Sequence, residues 1–375
     1  MTAMLDETAL DEYINALLDQ ALTLRASDIH IEPVGAAEYR IRLRVDGVLR
    51  ESARCAPPLA ARLLVCLKMM ARLDIAERRL PQDGQFLIGP QDGHCSCRLS
   101  TLPTLRGEKL VLRLLRSAPD DLTLERLGMS ASPRRRFLRL LHQPQGLILL
   151  TGPTGSGKTM TLYSALNALA RDRLNICSVE DPVEMSLPGV VQCQVNAKAL
   201  LDFPALLRAL LRQDPDVLMV GEIRDRETAA MAVNAAQTGH LVLATLHARA
   251  AGDAVGRMGQ FGLDTGLVRS ALLLVMAQRL IRLLCPRCRR GIRPGEQAPI
   301  RLPPGWTPRA HWRAVGCAHC HQGYVGRRGI FHLLPSRPCP HDGSRPAGLW
   351  RAGLILARRG ETSLDELARV LGEPA

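Results

Sequence analysis

The stretch that decides the fold is GPTGSGKT, residues 152–159, which directly follows the apolar run GLILL at 146–150. A short strand, a glycine-rich turn and a helix, in this order, make up a phosphate-binding loop. Its glycines let backbone N–H groups approach a triphosphate without a Cβ in the way. The following helix adds N-terminal donors and the positive end of a dipole. The stretch therefore predicts a nucleotide site at the end of a buried strand.

Two residues of this loop have side chains suited to a nucleoside triphosphate and its metal. We expect Lys158 to reach the β- and γ-phosphates and the Thr159 hydroxyl to bind Mg²⁺. The helix-forming sequence TLYSALNALA at 161–170 argues against the structural alternative, an idle glycine-rich turn. The predicted cofactors are ATP and Mg²⁺, and the rest of the predicted nucleotide-binding set is Gly152, Pro153, Thr154, Gly155, Ser156, Gly157 and Met160.

The bulk composition limits the class of protein and its partners. The chain has 375 residues, which predicts two or three domains, and a net charge of +13. This charge suits anionic partners such as nucleic acid, an acidic protein or a membrane surface, and it also suits a solvated Arg-rich surface. The most apolar stretch, residues 272–284, is interrupted by Gln278, Arg279 and Arg282, and no signal peptide opens the chain. A cytoplasmic protein without a membrane span is predicted.

Hydrophobic periodicity divides the chain into segments. Residues 1–116 alternate like short strands around two helical stretches and predict a small α/β domain with an antiparallel sheet. A polar linker is predicted at 117–133. Helices then alternate with buried strands over 134–282, which predicts a mostly parallel sheet covered on both faces. A loop-rich module at 283–334 and a shortened helical region at 335–375, with one helix over 349–371, complete the predicted order.

Four cysteines form a pattern typical of a structural metal site. Cys285 and Cys288 make one CxxC pair, and Cys317 and Cys320 make a second. Four thiolates in two such pairs suit tetrahedral Zn²⁺. The neighbouring residues His319 and His321 could compete as ligands, and reduced thiols without a metal are the alternative. The remaining seven of the eleven cysteines are predicted to be small buried hydrophobic residues in a reducing compartment.

Carboxylates and histidines follow three of the predicted buried strands. SVEDPVE at 178–184 places Glu180, Asp181 and Glu184 at the exit of one strand, where carboxylates could hold Mg²⁺ through water or form a solvated acidic turn. VLMVGE at 217–222 ends in Glu222, which is typical of a Walker B element and predicts the base that activates water. TGHLVLATLH at 238–247 brackets a strand with two histidines, each of which taken singly could be an ordinary polar residue.

Taken together, these motifs resemble the type II secretion and type IV pilus assembly ATPases, the GspE/PulE and PilB group. The similarity covers roughly residues 21–334 and includes stretches outside the nucleotide motifs. The stretches that are similar, besides the P-loop and the carboxylate and histidine motifs above, are SDIHIEP, RIRLRVDGVL, MARLDIAERRLPQDGQF, RLSTLPTLRGEKLVLRLLR, QRLIRLLCPRC, CAHC and GYVGRRGIFHLL.

The resemblance implies a fold and a set of roles. It implies a PAS-like N-terminal domain, a RecA-like P-loop ATPase domain with a C-terminal zinc module, and a homo-hexamer with ATP between domains. The acidic segment with Glu180 and Asp181 would be the Asp box, and Glu222 the Walker B glutamate. The residues implied as catalytic are Glu184, Glu222, His240, His247, Arg98 and Arg113, the two arginines pointing toward the γ-phosphate. Arg208, Arg212 and Arg224 also match family positions.

The resemblance further implies a function and its setting. It implies Mg²⁺-dependent ATP hydrolysis that drives assembly of a pseudopilus or type IV pilus, for protein secretion, pilus extension or DNA uptake. The implied partners are inner-membrane platform and adaptor proteins, with peripheral membrane association and no nucleic acid. The chain would be a short member that lacks the first N-terminal domain of longer relatives. The alternatives are a nucleic-acid translocase or conjugation-type secretion ATPase, and an inactive regulatory paralogue that binds ATP.

Overall fold

The computed structural model describes residues 7–35, 38–88, 95–115, 122–169, 172–248, 250–292, 311–335 and 347–372. The chain divides into two compact units, Met1–Ala118 and Pro119–Ala375. Among the described helices, none combines the length and the apolar character that crossing a membrane requires.

The first unit is a six-stranded antiparallel sheet with two helices. Its strand order is β3-β2-β1-β6-β5-β4. The elements are α1 (Glu7–Thr23), β1 (Asp28–Val34), β2 (Glu38–Val45), β3 (Val48–Cys55), α2 (Pro57–Met70), β4 (Gln82–Ile88), β5 (Cys95–Thr104) and β6 (Gly107–Leu115).

The core of this unit follows the period-2 alternation of its strands. Ile29 and Ile31 of β1 are fully buried and belong to the same core as Leu18 of α1 and Leu67 of α2. The alternating β1 residues Asp28, His30 and Glu32 point to the other face, because successive strand residues face opposite ways. That face is polar. The predicted small α/β domain with an antiparallel sheet is therefore present.

The second unit contains the parallel sheet. Its helices are α3 (Ala131–Leu141), α4 (Lys158–Asn167), α5 (Phe203–Leu210), α6 (Arg226–Gln237), α7 (Asp253–Gln260), α8 (Thr265–Ala271), α9 (Ala347–Arg358) and α10 (Leu364–Leu371). Its strands are β7 (Gly146–Thr151), β8 (Ile176–Glu180), β9 (Val191–Gln194), β10 (Val217–Ile223), β11 (Leu241–Leu246), β12 (Leu272–Leu284), β13 (Arg290–Ile292), β14 (His311–Arg313) and β15 (Tyr324–Pro335).

Seven of these strands form one sheet in the order β15-β12-β7-β11-β10-β8-β9. Neighbours are parallel except for β12 with β15. Alternate residues of β7 enter two separate cores: Leu147 and Leu149 pack with α5–α10, and Ile148 and Leu150 pack with α3 and α4. Helices therefore cover both faces, which confirms the predicted mostly parallel α/β architecture.

Residues 122–130, part of the predicted linker, contribute to this second unit. Leu122, Leu124 and Met129 are buried in the core that contains α3 and α4. Their apolar side chains pack against the sheet, although the surrounding sequence is polar. The rest of the predicted linker that precedes them, residues 117–121, lies outside the described residues.

Two long strands were not expected from the sequence. β12 spans Leu272–Leu284 and pairs antiparallel with β15, so the predicted boundary between residues 282 and 283 falls inside β12. The polar residues Gln278 and Arg282 interrupt the apolar pattern of β12, yet both side chains are buried. Each has a partner from another element: Thr161 donates to Gln278, and Arg282 donates to Glu366. Such tertiary partners are invisible to a periodicity argument.

The predicted C-terminal helix over 349–371 is two helices. Gly360 adopts φ +71°, a left-handed conformation that favours glycine and ends α9. Ser363 then caps α10 by accepting a hydrogen bond from the Glu366 N–H.

Glu366 is the centre of a buried ion network that joins this C-terminal region to the sheet. Its carboxylate is fully buried and accepts hydrogen bonds from the Arg282 guanidinium at 2.9 Å and from Arg369 at 2.7 Å. The Arg282 guanidinium also lies 4.0 Å from the Tyr324 ring centroid. Burial raises the pKa of Glu366, but hydrogen bonds from Arg369 and Arg282 outweigh this and hold the pKa below its ordinary value.

We expect Glu366→Ala to lower the free energy of unfolding of the second unit by about 3–5 kcal/mol, because it leaves the buried Arg282 charge without its partner. Denaturant unfolding measures this loss. The matched control is Glu227→Ala, which removes an exposed carboxylate paired with Arg208 and should cost less than about 1 kcal/mol. Since the Glu366 pKa is lowered, its stabilising effect should be present above the ordinary glutamate pKa and disappear as pH falls through the lower folded-state pKa. Equal losses in the two variants at neutral pH would contradict this role.

Candidate nucleotide site and metal centre

The phosphate-binding loop connects β7, which ends at Thr151, to α4, which begins at Lys158. Two of its glycines occupy positions where a side chain would not fit. Gly157 adopts φ +86°, and a Cβ there would lie 3.0 Å from the Gln278 amide nitrogen. A Cβ on Gly152 would lie 2.6 Å from the Ser156 hydroxyl. Close packing of the loop therefore requires glycine at both positions.

The Lys158 ammonium group lies inside this loop. It donates hydrogen bonds to the backbone carbonyls of Gly152 at 2.8 Å and of Pro153 at 3.1 Å. Burial lowers the pKa of Lys158; the neighbouring Glu222 acts in the opposite direction and Arg279 adds to the decrease. The Lys158 amine therefore lies within the loop and could exchange its two carbonyl partners for phosphate oxygens.

The parallel strands place the predicted carboxylates at the same edge as the loop. β10 pairs in parallel with β8 on one side and with β11 on the other. The carboxyl ends of parallel strands meet at one edge of the sheet, and ligands bind at that edge. Asp181 follows β8, Glu222 lies near the end of β10, and His247 follows β11. The sheet thus brings together side chains that are up to 66 positions apart in the sequence.

Glu222 is held between two cationic or donor groups. One carboxylate oxygen lies 2.7 Å from His247 Nε2, and the other lies 2.7 Å from Arg224 Nε. The Arg224 Nη1 atom in turn lies 3.3 Å from the Asp181 carboxylate. The Glu222 side chain is 18% exposed, so water can reach it. This arrangement can take a proton from a water that replaces one of the two partners, as a general base must.

Glu180, by contrast, is engaged within the protein. Glu180 is only 2% exposed to solvent. One carboxylate oxygen accepts from Ser178 Oγ at 2.7 Å and Gln192 Nε2 at 3.0 Å, and the other accepts from the Tyr163 hydroxyl. The Glu184 backbone N–H donates to the same Tyr163 hydroxyl at 3.2 Å. Sequence reasoning missed Tyr163, which looks like any other residue of an apolar helix.

The structure does not bring His240 to this edge. His240 directly precedes β11, whereas His247 directly follows it. Seven residue steps of extended chain separate the two histidines by about 23 Å, at a strand rise of about 3.3 Å per residue. His240 Nδ1 lies 3.0 Å from the Ala235 carbonyl, at the amino edge of the sheet. Within one chain His240 therefore lies away from Glu222 and His247, and its predicted catalytic role stays a prediction.

Arg98 and Arg113 lie in the first unit, on adjacent strands. They are direct register partners of β5 and β6. The Arg113 Nε atom lies 3.2 Å from the Asp28 carboxylate of β1, while the Arg113 side chain stays 59% exposed. Their predicted role at the γ-phosphate stays a prediction.

Gln278 is a second residue that the sequence reasoning did not assign to the site. Its side chain is buried on β12, next to the phosphate-binding loop, and accepts a hydrogen bond at 2.8 Å from the Thr161 hydroxyl of α4. Its amide nitrogen lies where it would contact a Cβ atom if Gly157 carried a side chain. The predicted residues Thr159 and Met160 lie in the first turn of the same helix. Gln278 thus fixes the loop and the helix to the neighbouring strand.

The residues near the loop include the oxygen ligands that Mg²⁺ prefers. Thr159 is half-buried at the start of α4, and the Asp181 carboxylate is 41% exposed at the same sheet edge. Hydroxyl and carboxylate oxygens, supplemented by water and phosphate, are the usual ligands of Mg²⁺. This set of donors fits the metal that a triphosphate carries.

The four cysteines form a compact cluster. Among the described residues, the potential ligand atoms of Cys285, Cys288, Cys317 and Cys320 all lie within 4.8 Å of one another, and no histidine belongs to this group. The Sγ–Sγ distances are 3.9 Å for 285–317, 3.7 Å for 288–320 and 3.6 Å for 317–320. A tetrahedron with Zn–S bonds of about 2.3 Å requires sulfur separations of about 3.8 Å. The cluster therefore fits Zn²⁺ bound by four thiolates.

Comparison with known proteins gives consistent matches. The family described as type II/IV secretion system protein matches residues 3–342. Protein transport protein HofB homolog of Escherichia coli K12 is 49% identical over 97% of this chain and 82% of that relative. Type IV pilus assembly ATPase PilB of Acinetobacter baylyi is 43% identical over 98% of this chain and 67% of that relative. Type II secretion system protein E of Pseudomonas aeruginosa is 48% identical over 88% of this chain and 66% of that relative.

Solved structures match over most of the chain as well. The pilus retraction motor PilT with bound ADP has a TM-score of 0.58 and 26% identity, covering 95% of this chain and 92% of that one. The Legionella pneumophila ATPase DotB has a TM-score of 0.65 and 19% identity, covering 94% of both chains, which supports the fold alone. With the P-loop, the carboxylate-bearing sheet edge and these matches together, the chain belongs to the type II/IV secretion system protein family and is a P-loop ATPase of that family.

Proposed function

We propose that this chain hydrolyses MgATP to drive assembly of a type IV pilus or a pseudopilus for type II secretion. The proposal rests on one observation: His247 and Arg224 hold the Glu222 carboxylate at the sheet edge that also presents Lys158. The names of its relatives, a pilus assembly ATPase and type II secretion proteins E, indicate the process that the hydrolysis would drive.

Nucleotide binding would begin with a change of partners at Lys158. The ammonium group leaves the carbonyls of Gly152 and Pro153 and donates to the β- and γ-phosphates. Backbone N–H groups at the start of α4 supply further donors to the phosphates. Thr159 and Asp181 would hold Mg²⁺, which neutralises the charge that develops on the phosphate oxygens during transfer.

Water activation is assigned to Glu222. The charge of the carboxylate opposes the decrease that burial causes in the pKa of Lys158, which supports a role for Glu222 near the phosphate-binding loop. A water that displaces Arg224 or His247 from one carboxylate oxygen would be oriented for attack and would give its proton to that oxygen. The partner that is not displaced would then keep Glu222 in place from the other side.

The assembly and its surroundings are part of the same proposal. We infer a homo-hexamer in the cytoplasm, attached peripherally to the inner membrane through platform and adaptor proteins. Arg98 and Arg113 would neutralise transition-state charge when the first unit approaches the nucleotide, which would couple hydrolysis to motion.

We expect Lys158→Ala to abolish nucleotide binding and turnover, whereas Glu222→Gln should still bind ATP and hydrolyse it at least about a hundredfold more slowly, the usual contribution of a general base. Steady-state hydrolysis and binding of a fluorescent ATP analogue measure the two effects. Glu125→Gln, which changes an exposed carboxylate of the same unit, is the matched control. Wild-type turnover by Glu222→Gln would refute the assignment of the base.

The proposed process has its own test in cells. A strain that lacks the gene should recover pili or pseudopili, counted by electron microscopy, with the wild-type gene and not with the Glu222→Gln gene. Added DNA should leave the turnover of the purified protein unchanged. Strong stimulation by DNA would favour a nucleic-acid translocase instead.

Arg98→Ala and Arg113→Ala should each fold normally and keep their affinity for ATP, while kcat falls by about 10³-fold, as for arginines that act on the transition state. Hydrolysis assays together with nucleotide binding separate these two quantities. Arg54→Ala, which removes another cation from the sheet of the first unit, should keep the wild-type kcat. Loss of soluble protein in both site variants would indicate a structural role.

Purified protein should contain about one Zn²⁺ per chain, one ion for each four-thiolate site. Cys285→Ser and Cys320→Ser should lose the metal and loosen the module that carries the two CxxC pairs, because metal binding supplies ordering free energy in small zinc modules. Both variants should still bind nucleotide but fail to support machine assembly. Elemental analysis and limited proteolysis test this, with Cys193→Ser, outside the cluster, as control. Protein prepared without chelators that contains no zinc would contradict the site.

A further inference from the structure

We propose that Tyr163 is a positioning residue that couples the phosphate-binding helix α4 to the acidic turn at 181–187, and that Glu180 is its buried anchor and not a ligand of the metal. This inference rests on the proposed ATP hydrolysis, since it concerns how the turn with Glu184 is held for that reaction. The inference depends on one observation: the Tyr163 hydroxyl is hydrogen-bonded both to the Glu180 carboxylate and to the Glu184 backbone N–H.

Glu180 has its hydrogen-bonding capacity directed inward. Ser178 Oγ and Gln192 Nε2 donate to one carboxylate oxygen, and the Tyr163 hydroxyl donates to the other. The residue is 2% exposed, so water has almost no access to the carboxylate. A metal ligand at this position would have to break bonds that satisfy a buried charge, and an unsatisfied buried charge is costly. The geometry therefore makes Glu180 an internal anchor.

Tyr163 reaches this anchor from the nucleotide side. It lies on α4, five residues after Lys158 and about 7.5 Å further along the helix axis at 1.5 Å per residue, and its side chain is fully buried. A tyrosine hydroxyl has one donor proton and accepts through its oxygen. The proton goes to Glu180, and the oxygen accepts from the Glu184 N–H at 3.2 Å. The single hydroxyl thus joins the helix to both ends of the segment 180–184.

The other side of the turn is held by side chains of β9. Gln192 accepts from the Leu187 N–H at 2.7 Å and donates to the Met185 carbonyl at 3.1 Å. Gln194 accepts from the Val183 N–H at 3.1 Å. The turn is therefore fixed to the edge strand β9 on one side and to α4 through Tyr163 on the other, with several backbone groups satisfied by side chains.

This arrangement links nucleotide binding to the position of Glu184. Lys158, which would exchange the carbonyls of the loop for phosphate oxygens, begins α4. Tyr163 belongs to the same helix, and its hydroxyl is bonded to the Glu184 backbone, so an adjustment of α4 is passed to the acidic turn. Tyr163 acts through that backbone and touches no substrate.

The test is Tyr163→Phe, which keeps the ring in the core and removes the hydroxyl. We expect kcat to fall about tenfold, as for residues that orient an active-site group from behind, with the KM for ATP changed less than about twofold. The matched control is Tyr324→Phe, which removes another buried hydroxyl of the same unit, bonded to Ser363 at 2.7 Å. It should lower thermal stability comparably and leave kcat at the wild-type value.

A readout independent of turnover is hydrogen exchange of the peptide covering residues 181–188. Its amides should exchange faster in Tyr163→Phe than in the wild type and should not change in Tyr324→Phe. Unchanged exchange and unchanged kcat in Tyr163→Phe, beside an active wild type, would overturn the inference and leave the proposed function intact. An inactive wild type would instead overturn the proposed function, while the exchange measurement would still decide the role of Tyr163.

A second variant tests the anchor without removing its shape. Glu180→Gln is nearly isosteric, and we expect the Mg²⁺ concentration for half-maximal turnover to stay within about twofold of the wild type, since mutation of a group that supports metal binding typically costs about tenfold or more. A tenfold rise in that concentration would identify Glu180 as a metal ligand and overturn the second half of the proposal.

Discussion

Parallel pairing of the central strands is the constraint on which the rest of the second unit depends. β7, β11, β10 and β8 run side by side in the same direction, so the residues that follow them emerge at one edge of the sheet. The phosphate-binding loop, the acidic turn, Glu222 and His247 meet there for this reason alone. His240, which precedes β11 instead of following it, lies at the opposite edge. Topology, more than any single contact, therefore assembles the site.

Charge at this edge is balanced before any nucleotide binds. Lys158 is buried in the loop with two carbonyl partners, and Glu222 is bonded to Arg224 and His247. Both groups are satisfied by partners that a phosphate or a water could replace, so binding exchanges hydrogen bonds instead of creating unpaired charges. Glu180 ends β8, the strand next to β10, but has partners that solvent does not reach. Glutamate thus has two roles in this region, a proposed base at 222 and a buried anchor at 180. The burial of each carboxylate and the groups that donate to it decide between the two roles.

β12 connects features that are far apart along the chain. Gln278 fixes the phosphate-binding loop and α4, Arg282 is bonded to Glu366 of α10, and Cys285 follows directly as the first sulfur of the tetracysteine cluster. Because one continuous strand carries all three contacts, the loop, the C-terminal helices and the metal centre share a rigid support. The C-terminal region is therefore part of the ATPase unit's packing through Leu364 and Leu367, which belong to the core that contains α5 and α6.

The sequence by itself determined the P-loop, the four cysteines, the two-part α/β architecture and the family, because each depends on local spacing: glycines beside a buried strand, paired CxxC motifs, and periods of two and of 3.6 residues. It also indicated Glu222, because that residue ends an apolar strand. Only the tertiary structure decided which polar residues are partners. It buried Gln278 and Arg282 in a strand that their polarity had concealed, separated His240 from His247, and joined Tyr163 to Glu180. Those outcomes depend on contacts between residues distant in the chain, and the free energy of a buried polar group depends on its partner, which periodicity does not encode.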